Sequence, residues 1–229
     1  MKINNKIIAL VFSSALVACN NAPETAVDAT DAQEVNAETA EAATYTVNTG
    51  SEEVVWEGYK TFALGDSHNG TIEVSEGSFM VKGDQLVGGS FIIDMTSINN
   101  LDLAESPEYK TKLEGHLKSG DFFAVDSFPT AKFEITAAEA VAAGDTSGAT
   151  HNVSGNLTLR GITKNVTIPA MVEMTDAGIN FATPEFVIDR SQWNVKFRST
   201  SFSEFADIAK DNIIDNNIKL SVKLSATKA

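Results

Sequence analysis

The stretch Ile218-Lys-Leu-Ser-Val-Lys-Leu-Ser225 alternates without a break: Ile218, Leu220, Val222 and Leu224 fall on one face, Lys219, Ser221 and Lys223 on the other. Successive side chains of an extended chain point to opposite faces, so this period of two describes a strand with one dry and one wet side. Such strands belong to antiparallel sheets, whose second face is free to meet water. The pattern returns at residues 153–160, with Val153, Leu157 and Leu159 inward, and again in Val166, Ile168, Ala170 and Val172. Trp193, Val195 and Phe197 alternate with Asn194, Lys196 and Arg198 in the same way. Further strands are predicted over residues 51–61, 71–81, 85–95, 130–137 and 178–188. Turn formers separate them at 65–66, 83–84, 144–148 and 176–178.

Two stretches depart from the period. Ser106-Pro107 is a helix start, and Leu113 and Leu117, one turn apart, give that helix an inner side up to about residue 117. Residues 201–209 hold Phe202, Phe205 and Ile208 at helical spacing. About nine strands with one helical insertion predict an all-β fold in which a single sheet closes on itself, because closure removes exposed strand edges. A two-sheet sandwich is the structural alternative. An eight-stranded barrel either fills with side chains or holds one small ligand, and patterning does not decide between them.

The chain has 229 residues, of which 43% are hydrophobic, enough for one domain with a core of its own. Its 17 Lys+Arg against 31 Asp+Glu give a charge of −14. That balance argues against a nucleic-acid partner, which calls for a basic stripe to replace phosphate counterions. A single Cys excludes an intramolecular disulfide framework and a thiolate-rich metal site, and His68, His116 and His151 are too dispersed for a histidine cluster.

The N-terminus sets the compartment. Lys2 and Lys6 precede an apolar run over residues 7–18, followed by Leu16-Val17-Ala18-Cys19. Twelve helical residues rise only about 18 Å against about 30 Å of hydrocarbon, so the run is a signal peptide rather than a span. Leu-Val-Ala-Cys resembles the bacterial lipoprotein box, in which the cysteine becomes the acylated first residue of the mature chain. Residues 1–18 are therefore expected to be the leader and Cys19 the lipid attachment site. Residues 19–44 are Ala/Thr-rich and acidic, with almost no large apolar side chain, and are expected to form a disordered tether. Without the two leader lysines and the six tether acids, residues 45–229 carry 25 acids and 15 bases, or −10.

Catalytic patterns are weak. Asp66-Ser67-His68 has the residue types of a triad, but neighbours in sequence need not converge in space, and the stretch 65–70 reads as a loop. Asp189-Arg190 reads as a local ion pair or a turn cap. No phosphate loop, dinucleotide fingerprint or zinc spacing is present. The sequence predicts no enzyme, no cofactor and no metal.

Three segments carry a family resemblance. His116-Leu-Lys-Ser-Gly-Asp-Phe-Phe-Ala-Val-Asp-Ser-Phe-Pro-Thr-Ala-Lys-Phe133, Gly155-Asn-Leu-Thr-Leu-Arg-Gly-Ile-Thr-Lys-Asn-Val166 and Phe186-Val-Ile-Asp-Arg-Ser-Gln-Trp-Asn-Val-Lys-Phe197 resemble, in order, the signatures of the YceI-like, polyisoprenoid-binding family. The resemblance covers residues 45–229. It implies an eight-stranded antiparallel lipocalin-like barrel holding a long isoprenoid chain. Two departures stand out: residues 54–77, with Trp56, Lys60 and His68, follow a variant of the family's opening, and Asn165 replaces a usual proline.

A polyisoprenoid makes almost no hydrogen bonds, so its site needs dry walls and volume. The inward set Trp56, Phe79, Phe91, Ile93, Phe133, Ile135, Leu157, Leu159, Phe186, Trp193 and Phe197 supplies the walls, and Leu113, Leu117, Phe122 and Phe123 a lid or mouth. Each of these residues equally suits ordinary core packing; only as a set around a hollow centre are they informative. The expected function is that of a lipid-anchored envelope protein that binds, stores or carries an isoprenoid, a quinone or a polyprenyl lipid. It is expected at the outer membrane facing the periplasm, with surface exposure and oligomeric state left open. The acidic domain disfavours a polyprenyl phosphate unless Lys164, Lys196 or Arg198 lines the mouth. The competing expectation is a structural or adhesive surface lipoprotein whose solid barrel binds a protein or glycan.

Overall fold

The computed structural model describes residues 26–35, 41–50, 53–62, 66–142, 148–175 and 177–229. The expected leader, Cys19 and most of the expected turn at 144–148 lie outside these residues. In chain order the strands are β1 (Ala29–Asp31), β2 (Ala43–Val47), β3 (Glu53–Tyr59), β4 (Ser67–Lys82), β5 (Gln85–Asp94) and β6 (Asn99–Asn100). Helix α1 (Pro107–Lys118) follows, then β7 (Thr130–Ala140), β8 (His151–Leu159), β9 (Ile162–Thr175), β10 (Gly178–Ala182), β11 (Phe186–Asp189) and β12 (Asn217–Lys228). Pro107 starts α1 as its sequence predicts, since a missing N–H costs nothing in the first turn.

The pairings close into a ring of eight antiparallel strands. β4 pairs with β5, then β7, β8, β9, β10 and β12 follow in turn. β12 returns to β4 through β2 and β3, which form one interrupted strand along its edge. β10 and β11 likewise share the other edge of β12, broken at Thr183-Pro184-Glu185. The β8–β9 hairpin turns on Arg160 and Gly161, both left-handed (φ 49° and 72°), the geometry that matches the twist of a two-residue hairpin.

The ring has a seam, and the segment expected to be a tether fills it. β9 pairs with β10 only over Met171–Thr175, and β11 does not rejoin it. β1 enters the gap: Ala29–Asp31 pairs with Lys164–Val166 of β9, while Val27 N–H donates to the Val187 carbonyl of β11 at 2.8 Å. The side-chain amide of Asn156 accepts from Gln33 N–H (3.0 Å) and donates to the Gln33 carbonyl (2.7 Å), standing in for a neighbouring strand. Asn165, at the usual proline position, is buried and donates to Thr136 Oγ1 and Asn156 Oδ1, both at 3.1 Å. Disorder therefore does not hold for residues 26–35. Side-chain amides dock here a strand too polar to be held by burial.

Three other expectations change. Trp193–Phe197 is not a strand: Arg190–Trp193 forms a 3₁₀ turn that ends on Asn194 in the left-handed region (φ 59°). Trp193 and Val195 are nonetheless fully buried, so the alternation reflected burial without extension. Ser67–Gly70, expected in a loop, opens β4 and pairs with Trp56–Tyr59. Residues 201–212 form only two short 3₁₀ turns, Ser203–Phe205 and Lys210–Asn212.

Candidate ligand site

The barrel is solid at one end and hollow at the other. Toward the β4–β5 hairpin, Val47, Val81, Leu86, Phe79 and Ile135 pack tightly. Phe79 lies edge-on to Phe91 (centroids 4.9 Å apart) and tilted against Phe181 (5.5 Å), and those two rings form the floor of a cavity of about 470 Å³. Its walls are the inward faces of β3, β4, β5, β7, β8, β9, β11 and β12, with Val54, Trp56, Ile93, Phe133, Leu157 and Leu220 among them. Ile218, Leu220 and Val222, the cleanest inward alternation in the chain, are only half-buried because they face this space. Phe133 and Leu157 keep accessible surface for the same reason.

Glycine makes room for the largest wall side chains. A Cβ on Gly155 would run into the Phe133 ring, and one on Gly70 into Trp56 and the Asn99 carbonyl. The Trp56 indole N–H is buried without a hydrogen-bond partner.

The open end is roofed by α1 and the loops beside it. Leu113 and Leu117 line the cavity from the helix, followed by Phe122 and Phe123. His116 is held edge-on by Phe122 (5.0 Å) and Phe197 (4.7 Å), with Nε2 3.0 Å from Asp121. Arg160 fastens this roof to the β8–β9 turn by donating to the carbonyls of Phe122, Asn194 and Gly120. Fully buried Asn100 ties α1 to β4: its N–H donates to Glu114, and its amide donates to the Asn69 carbonyl and to Asp102.

Charge gathers only at this rim. Lys60 pairs with Asp66 at 2.5 Å. His68 Nδ1 lies 2.8 Å from Asp102. Burial pushes the Asp102 carboxyl up, but hydrogen bonds from Asn69 N–H, His68 and Asn100 outweigh it and hold its pKa below the ordinary value. Tyr59 is shifted up, first by burial and then by Asp215. Arg190 is buried, which draws its pKa down to about 10 against the pull of Asp189 and Asp215. It donates to four carbonyls, those of Val195, Phe197, Ile214 and Asp215, at 2.7–3.0 Å. Asp189 does not bind Arg190; it caps the 3₁₀ turn by accepting from Ser191 N–H.

Eleven of the fourteen residues expected to bind ligand line the cavity: Trp56, Phe91, Ile93, Leu117, Phe122, Phe123, Phe133, Leu157, Leu159, Phe186 and Phe197. Three do not. Phe79 and Ile135 sit below the floor in the solid half, and Trp193 packs in its 3₁₀ turn, its indole donating to the Leu157 carbonyl. Period-two reading gives the face of a strand but not the depth along it. The polar rim of Tyr59, Lys60, Asp66, His68, His116, Arg190, Arg198 and Asp215 was missed as a group. Its members come from five separate segments, and no local pattern joins them. Ser67 and His68 occupy successive positions of β4 and so point to opposite faces, and Asp66 is taken by Lys60, which removes the triad geometry. Among the described residues no His/Cys/Asp/Glu group is arranged to hold a metal ion.

An antiparallel ring with a dry cavity opening at one end is the architecture of the lipocalin-like barrels. The family model of the YceI-like domain matches residues 45–226, and the chain belongs to that family. BcnA of Burkholderia cenocepacia superposes with a TM-score of 0.55 at 21% identity, over 77% of this chain and 96% of that one. A polyisoprenoid binding domain from Saccharophagus degradans superposes with a TM-score of 0.54 at 13% identity, over 82% and 99%. At sequence level, UPF0312 proteins of Pseudomonas aeruginosa are 53% identical over 55 residues, 24% of this chain. That match spans 26% of the relatives' own length.

Proposed function

We propose that this protein binds a hydrophobic isoprenoid, tail inward, in the hollow half of its barrel, and that it does so as a lipid-anchored protein of the bacterial envelope. The observation that carries the reading is the half-buried inward face of β12, Phe133 and Leu157 around a 470 Å³ space. Apolar side chains that could have packed instead leave room for a guest. The volume falls in the range of small-molecule sites, and at about 30 Å³ per water-sized group it takes at least roughly 15 carbons, about three isoprene units. Burying those contributes roughly 12 kcal/mol gross, and micromolar affinity needs about 8 kcal/mol of it to survive the costs of association. A longer chain places its further units at or beyond the rim. The structural likeness to a polyisoprenoid binding domain from Saccharophagus degradans supports the ligand class. Envelope location rests on the leader and Leu16-Val17-Ala18-Cys19, with acyl groups on Cys19 as the membrane link.

The test is native mass spectrometry of protein purified from its own envelope, followed by solvent extraction and identification of the released lipid. A stoichiometric isoprenoid released on denaturation is the expected result. Failure of the purified protein to retain or take up any isoprenoid, with only acyl mass on Cys19, would overturn the reading in favour of an adhesive barrel.

A further inference from the structure

The cavity is apolar except at its rim, where charged side chains gather. Lys60, Arg190 and Arg198 line it together with Asp66 and Asp215, and Asp102 and Asp121 stand beside the two rim histidines. All but one of these groups are satisfied from within. Lys60 holds Asp66, and Arg190 donates to four backbone carbonyls. Asp215 accepts from Thr61 Oγ1 (3.1 Å) and Asn217 N–H (2.9 Å). Even the two rim histidines have their own carboxylates, Asp102 and Asp121.

Arg198 is the exception. Among the described residues no carboxylate pairs with its guanidinium, which lies over the face of Phe197, 5.2 Å from the ring centroid. Its backbone is left-handed (φ 54°), a conformation that costs a non-glycine residue free energy, and its carbonyl is fixed there by Ile214 N–H at 3.1 Å. Lys164 and Lys196 lie elsewhere. Lys164 is engaged by Asp31 outside the barrel, and Lys196 lies over Phe202, off the cavity.

We infer that the cavity takes a long-chain amphiphile whose head is an oxyanion, seated on the unpaired Arg198 guanidinium at the rim while its apolar tail fills the barrel. This rests on the isoprenoid reading and narrows it, favouring a polyprenyl phosphate or carboxylate over a neutral quinone. A guanidinium grips either oxyanion through two parallel N–H bonds, and the dry wall beside it reduces screening. A neutral head gains no comparable contact from Arg198.

Titration calorimetry of the delipidated protein with farnesol, farnesyl monophosphate and farnesoic acid tests it, since all three share one tail. The expected result is that one or both anions bind about tenfold or more tighter than farnesol at low salt, with the gap narrowing as salt rises. Arg198→Asn, a residue that accepts the left-handed backbone, closes the gap and leaves farnesol affinity within about twofold. Arg198→Lys keeps the charge without the fork and is expected to fall between. Equal binding of alcohol and anions to the unaltered protein would overturn the head-group inference while leaving tail burial intact. An unchanged anion preference in both variants, with thermal unfolding unaltered, would remove Arg198 from the site. No binding of any of the three would overturn the isoprenoid reading itself.

Discussion

Gly155 lies opposite Ile135 in the β7–β8 pairing, and the ring of Phe133 covers the space where its Cβ would stand. A Gly155→Ala substitution therefore has to displace a cavity wall, and is expected to cost about 1–3 kcal/mol in urea denaturation. In a Phe133→Leu background the penalty should shrink by half or more, because the clash partner has gone. A penalty independent of Phe133 would locate the strain in the backbone instead. Asp102 offers a pH test at the same scale. Its carboxyl is held below the ordinary value in the folded state, so its stabilisation is complete above the unfolded value near pH 4 and is lost as pH falls through the lower folded value. Asp102→Asn should lower stability at pH 7 and flatten the acid limb below about pH 4, read by thermal unfolding as the pH is lowered. Neither residue was legible beforehand. Gly155 carries no side chain to show which way it faces or what covers it, and Asp102 meets His68 and Asn69 only once β6 has folded beside β4.

At the scale of elements, strands with clean alternation were readable because each buries one face, and the chain around β12 fixed the antiparallel character by itself. The elements misread are those whose course is set by hydrogen bonds that the hydrophobic pattern does not show. Trp193–Phe197 alternates in burial, yet Arg190 gathers four carbonyls around its guanidinium and folds the segment into turns. β1 is the opposite case, three residues of sequence Ala-Thr-Asp with no pattern at all, held by β9 and, through Gln33, by Asn156. Asn156→Ala removes the Gln33 contacts and leaves the buried Asn165 amide one partner short, where each unmet buried group costs about 1–3 kcal/mol. Amide exchange at residues 27–33 is expected to speed up by about tenfold or more, while amides of the β4–β5 hairpin keep their protection. Uniform acceleration throughout the ring would mean instead that the seam and the barrel unfold together.

At the scale of the whole molecule, composition and period describe a closed sheet but not how far it is filled. Inward residues of the solid and hollow halves are the same kinds of side chain: Ile135 is fully buried below the floor, while Leu220 faces open space above it. What separates them is position along the barrel axis, which depends on how each strand is staggered against the next and so on every turn and bulge in the ring. This difference makes one kind of change act in opposite ways. Ile135→Phe adds volume where none is free, and should destabilise by about 1–3 kcal/mol. Leu220→Trp adds volume to the cavity, where new contacts replace empty space, and should leave thermal stability unchanged or raise it. The same Leu220→Trp should weaken uptake of a farnesyl-length probe by about tenfold or more, since the tail and the indole compete for one space. Ile135→Phe, below the floor, should leave affinity within about threefold wherever the protein is folded. If instead Leu220→Trp unfolds the barrel as readily as Ile135→Phe, the space above Phe91 and Phe181 is packed in solution and the barrel holds no guest there.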